Sequence, residues 1–113
     1  MSFSFSIEQI EGLTQGSLVR LGGFLSFEEL EPLKVEIKKL ALEEKKYIIF
    51  DLSDLSEIDS AGLGFFIRSV ATVNSWGGRM ALCNVEANLE RIFRFIRLPI
   101  TETFEEALEK VKK

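Results

Sequence analysis

The string Asp59-Ser60-Ala61-Gly62-Leu63-Gly64 sets a hydroxyl between a carboxylate and two glycines, where a polar stretch gives way to helical periodicity. A serine in that place has three chemistries open to it. It can be a nucleophile, if a base takes its proton. It can cap the helix, its oxygen accepting from an amide one turn in. It can accept a phosphoryl group, which the free amides and positive dipole end of a helix N-terminus favour. The first is closed by composition. The 113 residues include no histidine, so neither a Ser-His-Asp nor a Cys-His site can be assembled. The Gly-x-Ser-x-Gly elbow is also missing. No lysine follows the glycines as a phosphate-binding loop requires, and Gly62-x-Gly64 alone is too little for a dinucleotide fingerprint. Ser60 therefore reads as a helix cap or as a phosphoacceptor. Gly62 and Gly64 each cost a helix about 1 kcal/mol relative to alanine. Their small size lets another surface approach the backbone closely.

Three further groups could carry chemistry. Asp51, Asp54, Glu57 and Asp59 are four carboxylates within nine residues. They could suggest a cation site or an aspartyl phosphate, but no second acidic set or late-strand lysine completes one. A solvated acidic loop beside Ser60 is the plainer reading, and it would deepen the effect of a phosphate of about −2. Phe65 lies out of phase with Leu63, Phe66, Ile67 and Val70 at 100° per residue. It is either covered by a neighbouring element or exposed as an anchor for a partner. Trp76 is also out of phase and reads as packed under a loop. Cys83, the one cysteine, sits in the apolar run Met80-Ala81-Leu82-Cys83 and reads as a buried thiol. Zinc is disfavoured with one cysteine and no histidine.

Net charge is −4 and basic residues are scattered. Arg91, Arg94 and Arg97 form the solvated side of a helix rather than a track for phosphates, so nucleic acid is not an expected partner. No apolar stretch approaches the roughly 20 residues of a membrane helix. The expectation is a cytoplasmic protein with no membrane insertion, a monomer or weak dimer, needing neither metal nor cofactor.

The elements that position these residues follow from periodicity. Residues 2 to 7 alternate, with Phe3, Phe5 and Ile7 inward, as a half-buried strand. Ser17 to Leu21 forms a second strand, closed by Gly22-Gly23 and paired with the first as a hairpin. A helix starts near Glu31, which places Pro32 in its first turn, and buries Leu30, Leu33, Ile37, Leu40 and Ala41. Tyr47 to Phe50 is a continuous apolar run, as in a strand covered on both faces. Asp51 to Asp59 reads as a loop pinned by Leu52, Leu55 and Ile58. A helix from Ser60 to Gly77-Gly78 buries Leu63, Phe66, Ile67, Val70 and Val73. Arg79 to Val85 is a strand. Ala87 to Ile96 is a helix with Leu89, Ile92, Phe93 and Ile96 inward. Thr103 caps a last helix to Lys112, with Phe104, Ala107, Leu108 and Val111 inward. The order β-β-α-β-α-β-α-α implies right-handed crossovers and a largely parallel, helix-covered sheet in a single domain.

Phe50-Asp51-Leu52-Ser53 followed by Ile58-Asp59-Ser60-Ala61-Gly62-Leu63-Gly64 resembles the signature of the STAS domain, the module named for sulfate transporters and anti-sigma factor antagonists. Gly23-Phe24-Leu25, the Gly77-Gly78 to Asn84-Val85 strand and Thr103-Phe104-Glu105-Glu106-Ala107-Leu108 look like further parts of it, so the resemblance covers nearly the whole chain. It implies an α/β fold, a mixed four- to five-stranded sheet flanked by about four helices. It implies that Ser60 corresponds to the serine phosphorylated in anti-sigma factor antagonists. There, the unphosphorylated antagonist binds an anti-sigma factor that is also a serine kinase and frees a sigma factor. Phosphorylation blocks that binding, and a serine phosphatase reverses it. The antagonist is no enzyme; ATP and Mg²⁺ belong to the kinase. On this resemblance the partner surface is Asp54 and Asp59 to Phe65. The alternative is a non-catalytic scaffold or adaptor, stressosome-like or an accessory of a transport complex. The chain departs from the family in carrying Ser26 where an aspartate is usual. Arg97 to Thr101 also looks shorter than the family's connection, which normally holds a short strand.

Overall fold

The computed structural model describes residues 2–113. Its strands are β1 (Phe3–Gln9), β2 (Gly16–Leu25), β3 (Tyr47–Ile58), β4 (Arg79–Cys83) and β5 (Ile100–Thr101), and its α-helices are α1 (Leu30–Leu42), α2 (Ser60–Ser75), α3 (Ala87–Phe95) and α4 (Phe104–Lys112). A short 3-10 turn, Phe27–Glu29, leads into α1. The strands lie side by side in chain order. β1 runs antiparallel to β2, in register from Phe3 opposite Gly23 to Gln9 opposite Ser17. The remaining pairs are parallel.

Strand order equal to chain order has a consequence. Right-handed crossovers then place α1, α2 and α3 on one face of the sheet. The burial pattern obeys this. Val19, Leu21, Ile48, Phe50, Met80 and Leu82 share a core with Leu33, Ile37, Phe66, Val73 and Phe93 of those helices. The alternate residues Leu18, Ile49, Ala81 and Cys83 share a second core with Ala107 and Val111 of α4. That two-sided burial explains why Tyr47 to Phe50 reads as an unbroken apolar run. A capping box fixes the start of α4: the Glu106 N–H donates to Thr103 Oγ1, and the Thr103 N–H donates to Glu106 Oε1. Cys83 is fully buried, and burial, then the Asp51 and Glu105 charges, pushes its thiol up to about 12. It is therefore neutral and unreactive at physiological pH.

Four expectations are corrected. Asp51 to Asp59 is not a loop: β3 continues to Ile58 alongside β2. Between Arg20 and Gly22 the partner advances from Asp51 to Asp54, and between Gly23 and Phe24 it advances from Leu55 to Glu57. Each step inserts one extra residue in β3, a β-bulge. β2 likewise runs on through Gly22-Gly23; Gly23 has φ +90, and a Cβ there would collide with the Ser2 carbonyl. Thirdly, the Arg97 to Thr101 connection does hold a short strand: β5 pairs Leu82 with Ile100 and Cys83 with Thr101. Fourthly, the inner face of α2 is Gly62, Phe65, Phe66, Ser69 and Val73, while Ile67 is 47% exposed. In α3, Ile92 is at the surface.

Phe65 is therefore a core residue, 3% exposed, not a surface anchor. The reason is the phase of α2: Phe65 shares an arc with Gly62, Phe66, Ser69 and Val73, and the stripe through Ile67 turns outward. Phe50 presents its ring edge-on to Phe65 at 6.3 Å and to Phe66 at 5.2 Å. Phe66 in turn packs against Phe93 of α3 at 5.8 Å. Burying a ring of this kind contributes about 1.5–3 kcal/mol, with a further 0.5–1.5 for aromatic pairing. We expect Phe65→Ala to lower unfolding free energy by about 3–5 kcal/mol in urea titrations. A loss below about 1 kcal/mol would return Phe65 to the surface.

Candidate functional site

β2 and β3 end together, and α2 begins where β3 stops. The turn between them is held by Asp59. Its backbone is extended, φ −97 and ψ 179, and its Oδ1 accepts from the Gly62 N–H at 2.9 Å. Oδ2 accepts from the Phe27 N–H at 3.0 Å. The Asp59 N–H donates to the Leu25 carbonyl at 3.2 Å. Asp59, not Ser60, is thus the N-cap, and Ser60 is the first helical residue and exposed. Both residue types cap well. A carboxylate has two oxygens and so serves two N–H groups from different segments, which one hydroxyl oxygen does not. Those bonds, Gly62 first, hold the Asp59 carboxyl below its ordinary value of 3.8. It is ionised at neutral pH, beside Ser60.

The two glycines do different work. A Cβ on Gly62 would stand 2.5 Å from Ile58 Cγ1 and 2.9 Å from the Leu25 carbonyl oxygen. Gly62 is small so that α2 can sit against the ends of its own strands, not for a partner. A Cβ on Gly64 would meet only the Arg68 guanidinium, 3.1 Å away at Nη1. Gly64 therefore leaves the outer face of α2 flat, with Arg68 folded back along it towards the helix start.

Of the expected partner surface, Ser60 and Asp54 are exposed, and Asp59, Ala61, Leu63 and Gly64 are partly so. Gly62 and Phe65 are buried. Two exposed apolar residues at this end of the fold were outside the expected surface. Phe27 is 72% exposed, and its amide bond to Asp59 places it at the start of α2. Ile67 follows Ser60, Leu63 and Gly64 on the outer face at helical spacing. The available signal was an aromatic residue inside the polar Ser26-Phe27-Glu28-Glu29 lead-in. The carboxylates do not converge. The Asp51 carboxyl is raised by burial but lowered more by hydrogen bonds from Asn84, Ser53 and Arg20, and ends below its ordinary value. Arg20 also pairs with Glu8. Among the described residues no cluster of three or more Cys, Asp or Glu could hold a metal ion.

The family model of the STAS domain matches residues 4–111. The chain belongs to that family. Among its STAS relatives, the anti-sigma F factor antagonist of Lysinibacillus sphaericus is 28% identical over 109 residues, covering 92% of this chain and 93% of the relative. That of Paenibacillus polymyxa is 26% identical, covering 81% and 77%. The solved structure of the Bacillus cell fate determinant SpoIIAA in its phosphorylated form superposes with a TM-score of 0.77 at 25% identity, covering 96% of this chain and 99% of that one. The mixed sheet and four helices described above are therefore the STAS fold. Among the described residues no helix is long and apolar enough to cross a membrane.

Gly62→Ala should destabilise the STAS domain by about 1–3 kcal/mol, since backbone or Ile58 must give way. Gly64→Ala should stabilise it by about 0.5–1 kcal/mol; thermal melts of both variants check this. For Asp59 the lowered carboxyl means a contribution fully present above the unfolded value near 3.8 and lost as pH falls through the folded one. Asp59→Asn keeps a capping oxygen but not the charge. The stability gap between wild type and Asp59→Asn should be constant near neutrality and close as pH drops below about 4.

Proposed function

We propose that this STAS domain is an anti-sigma factor antagonist whose contact surface is the start of α2 together with Phe27, and that phosphorylation of Ser60 switches it off. The observation that carries the reading is the setting of Ser60. It is an exposed hydroxyl on the first turn of α2, next to an ionised carboxylate that is already committed to two backbone amides. Around it lie apolar contacts a partner can cover: Phe27, Leu63 and Ile67. The two curated relatives are named as antagonists of anti-sigma F factor, and the superposed SpoIIAA structure is of a phosphorylated form.

The charge arithmetic supports a switch. A phosphate on Ser60 brings about two negative charges beside Asp59, with Asp54 and Glu57 on the strand that leads in. Arg68 is the cation on this ridge, its guanidinium folded back over Gly64, about one turn from Ser60. One cation offsets only part of a charge of about −2, so a partner that docks here must bury the remainder, at a cost of several kcal/mol. A micromolar to nanomolar complex has only about 8–12 kcal/mol to lose. On this reading the partner is an anti-sigma factor that is also a serine kinase, and a serine phosphatase restores the bound state.

Ser60→Ala should bind the partner and resist phosphorylation, and Ser60→Asp should bind at least tenfold more weakly. In native lysate supplied with ATP, mass spectrometry should find phosphate on Ser60 of the wild type as its captured partner is lost. Equal retention of both variants would sink the proposal. Phe27→Ala should raise the partner's Kd at least tenfold, about 1.4 kcal/mol, while shifting stability by less than about 0.5 kcal/mol.

A further inference from the structure

Between α1 and α2 a cleft of about 360 Å³ opens to solvent. Ile37 and Ala41 of α1 and Phe65 and Trp76 of the α2 side line it with carbon. Lys34, Lys38 and Arg68 line it with charge. The lining includes no carboxylate. Among the described residues, the ion pairs are made by Arg20, Lys39 and Arg94, so these three cations have no acidic partner. Lys34 and Lys38 are one turn apart on the same face of α1, where like charges repel. In a chain with 18 acidic and 14 basic residues, a cleft with three cations and no acid runs against the overall balance. An apolar lining rimmed by charge of one sign has the composition of a small-molecule site, and its volume falls in the usual range of about 300–1,000 Å³.

We propose that this cleft binds a hydrophobic monoanion, of which a medium-chain carboxylate is the simplest member. The apolar body lies along Ile37, Phe65 and Trp76, and the head group meets Lys34, Lys38 and Arg68. At about 30 Å³ for each water-sized group, the cleft takes about a dozen non-hydrogen atoms. Decanoate is of that size. Charge complementarity selects an anion over a neutral chain of the same length, and the mainly apolar lining selects it over inorganic phosphate. None of this depends on the role of Ser60.

Trp76 is the chain's one tryptophan, so its fluorescence reads occupancy directly. The wild-type protein is titrated with decanoate, decanol and decyltrimethylammonium below their aggregation concentrations. Decanoate should give a saturable emission shift. Decanol should bind at least tenfold more weakly, and the cation should give no shift. The triple variant Lys34→Gln, Lys38→Gln, Arg68→Gln should weaken decanoate at least tenfold and leave decanol unchanged. Circular dichroism and an unchanged melting temperature confirm that it folds. A lesser variant, Lys38→Gln alone, should weaken decanoate by about threefold if the triple variant melts early. No saturable response, or equal decanoate affinity in the wild type and the charge variants, overturns the proposal. So does a Trp76 shift that appears on concentrating the protein without ligand and tracks a dimer in sedimentation. That result would assign the cleft to a second copy of the chain.

Discussion

The Asp59 carboxylate accepts from two backbone N–H groups that reach it from different corners of the sheet, Phe27 after β2 and Gly62 within α2. Everything near Ser60 takes its place from that pair of bonds. Without the bond to Gly62 the first turn of α2 has an orphan amide; the bond to Phe27 ties the lead-in to α1 to the same turn, beside the Asp59 N–H to Leu25 carbonyl bond. The carboxylate can do this because it is charged and faces the positive end of a helix dipole. Ser60 is thereby spared from capping. Its hydroxyl is left on the surface, and its backbone is fixed. For the proposed phosphoacceptor that division of labour is an advantage: the group that holds the turn is not the group that would be modified.

The fold was largely legible in the sequence, and the places where it was not have definite physical causes. β1 declares itself by alternation, and Tyr47 to Phe50 by an apolar run that both faces require. The second half of β3 does not, because Leu52, Leu55 and Ile58 recur at three rather than two. The two bulges against β2 account for that. Each adds a residue between inward positions and so erases the strand period that a reader looks for. Gly22-Gly23 looked like punctuation for a related reason. A positive φ is needed where β2 passes the start of β1, and a glycine at a bulge is indistinguishable by type from a glycine at a turn.

At the site, the motif was legible and the roles inside it were less so. Asp59 and Ser60 are both good caps, and type alone does not rank them when the second acceptor bond comes from a residue 32 positions away. The glycines read as a pair, yet one answers to Ile58 and Leu25 and the other to the movable end of Arg68. Phe65 looks out of phase when the inner stripe is drawn through Leu63, Ile67 and Val70. The buried face is turned from that stripe and runs through Gly62, Phe65, Phe66, Ser69 and Val73. Both stripes are apolar, so type alone does not choose between them, and the exposed apolar side chain near Ser60 is Phe27.

The second core has one helical cover. Ile49, Ala81 and Cys83 are closed off by α4, which is nine residues long and follows every strand of the sheet in the chain. If α4 undocks while the sheet and the other three helices stay in place, the domain carries a bare apolar face opposite a finished one, the kind of surface that aggregates when crowded. The weakest point of the second core is thus the hold of one short helix. The capping box at Thr103 and Glu106 steadies the end of that helix where it leaves β5.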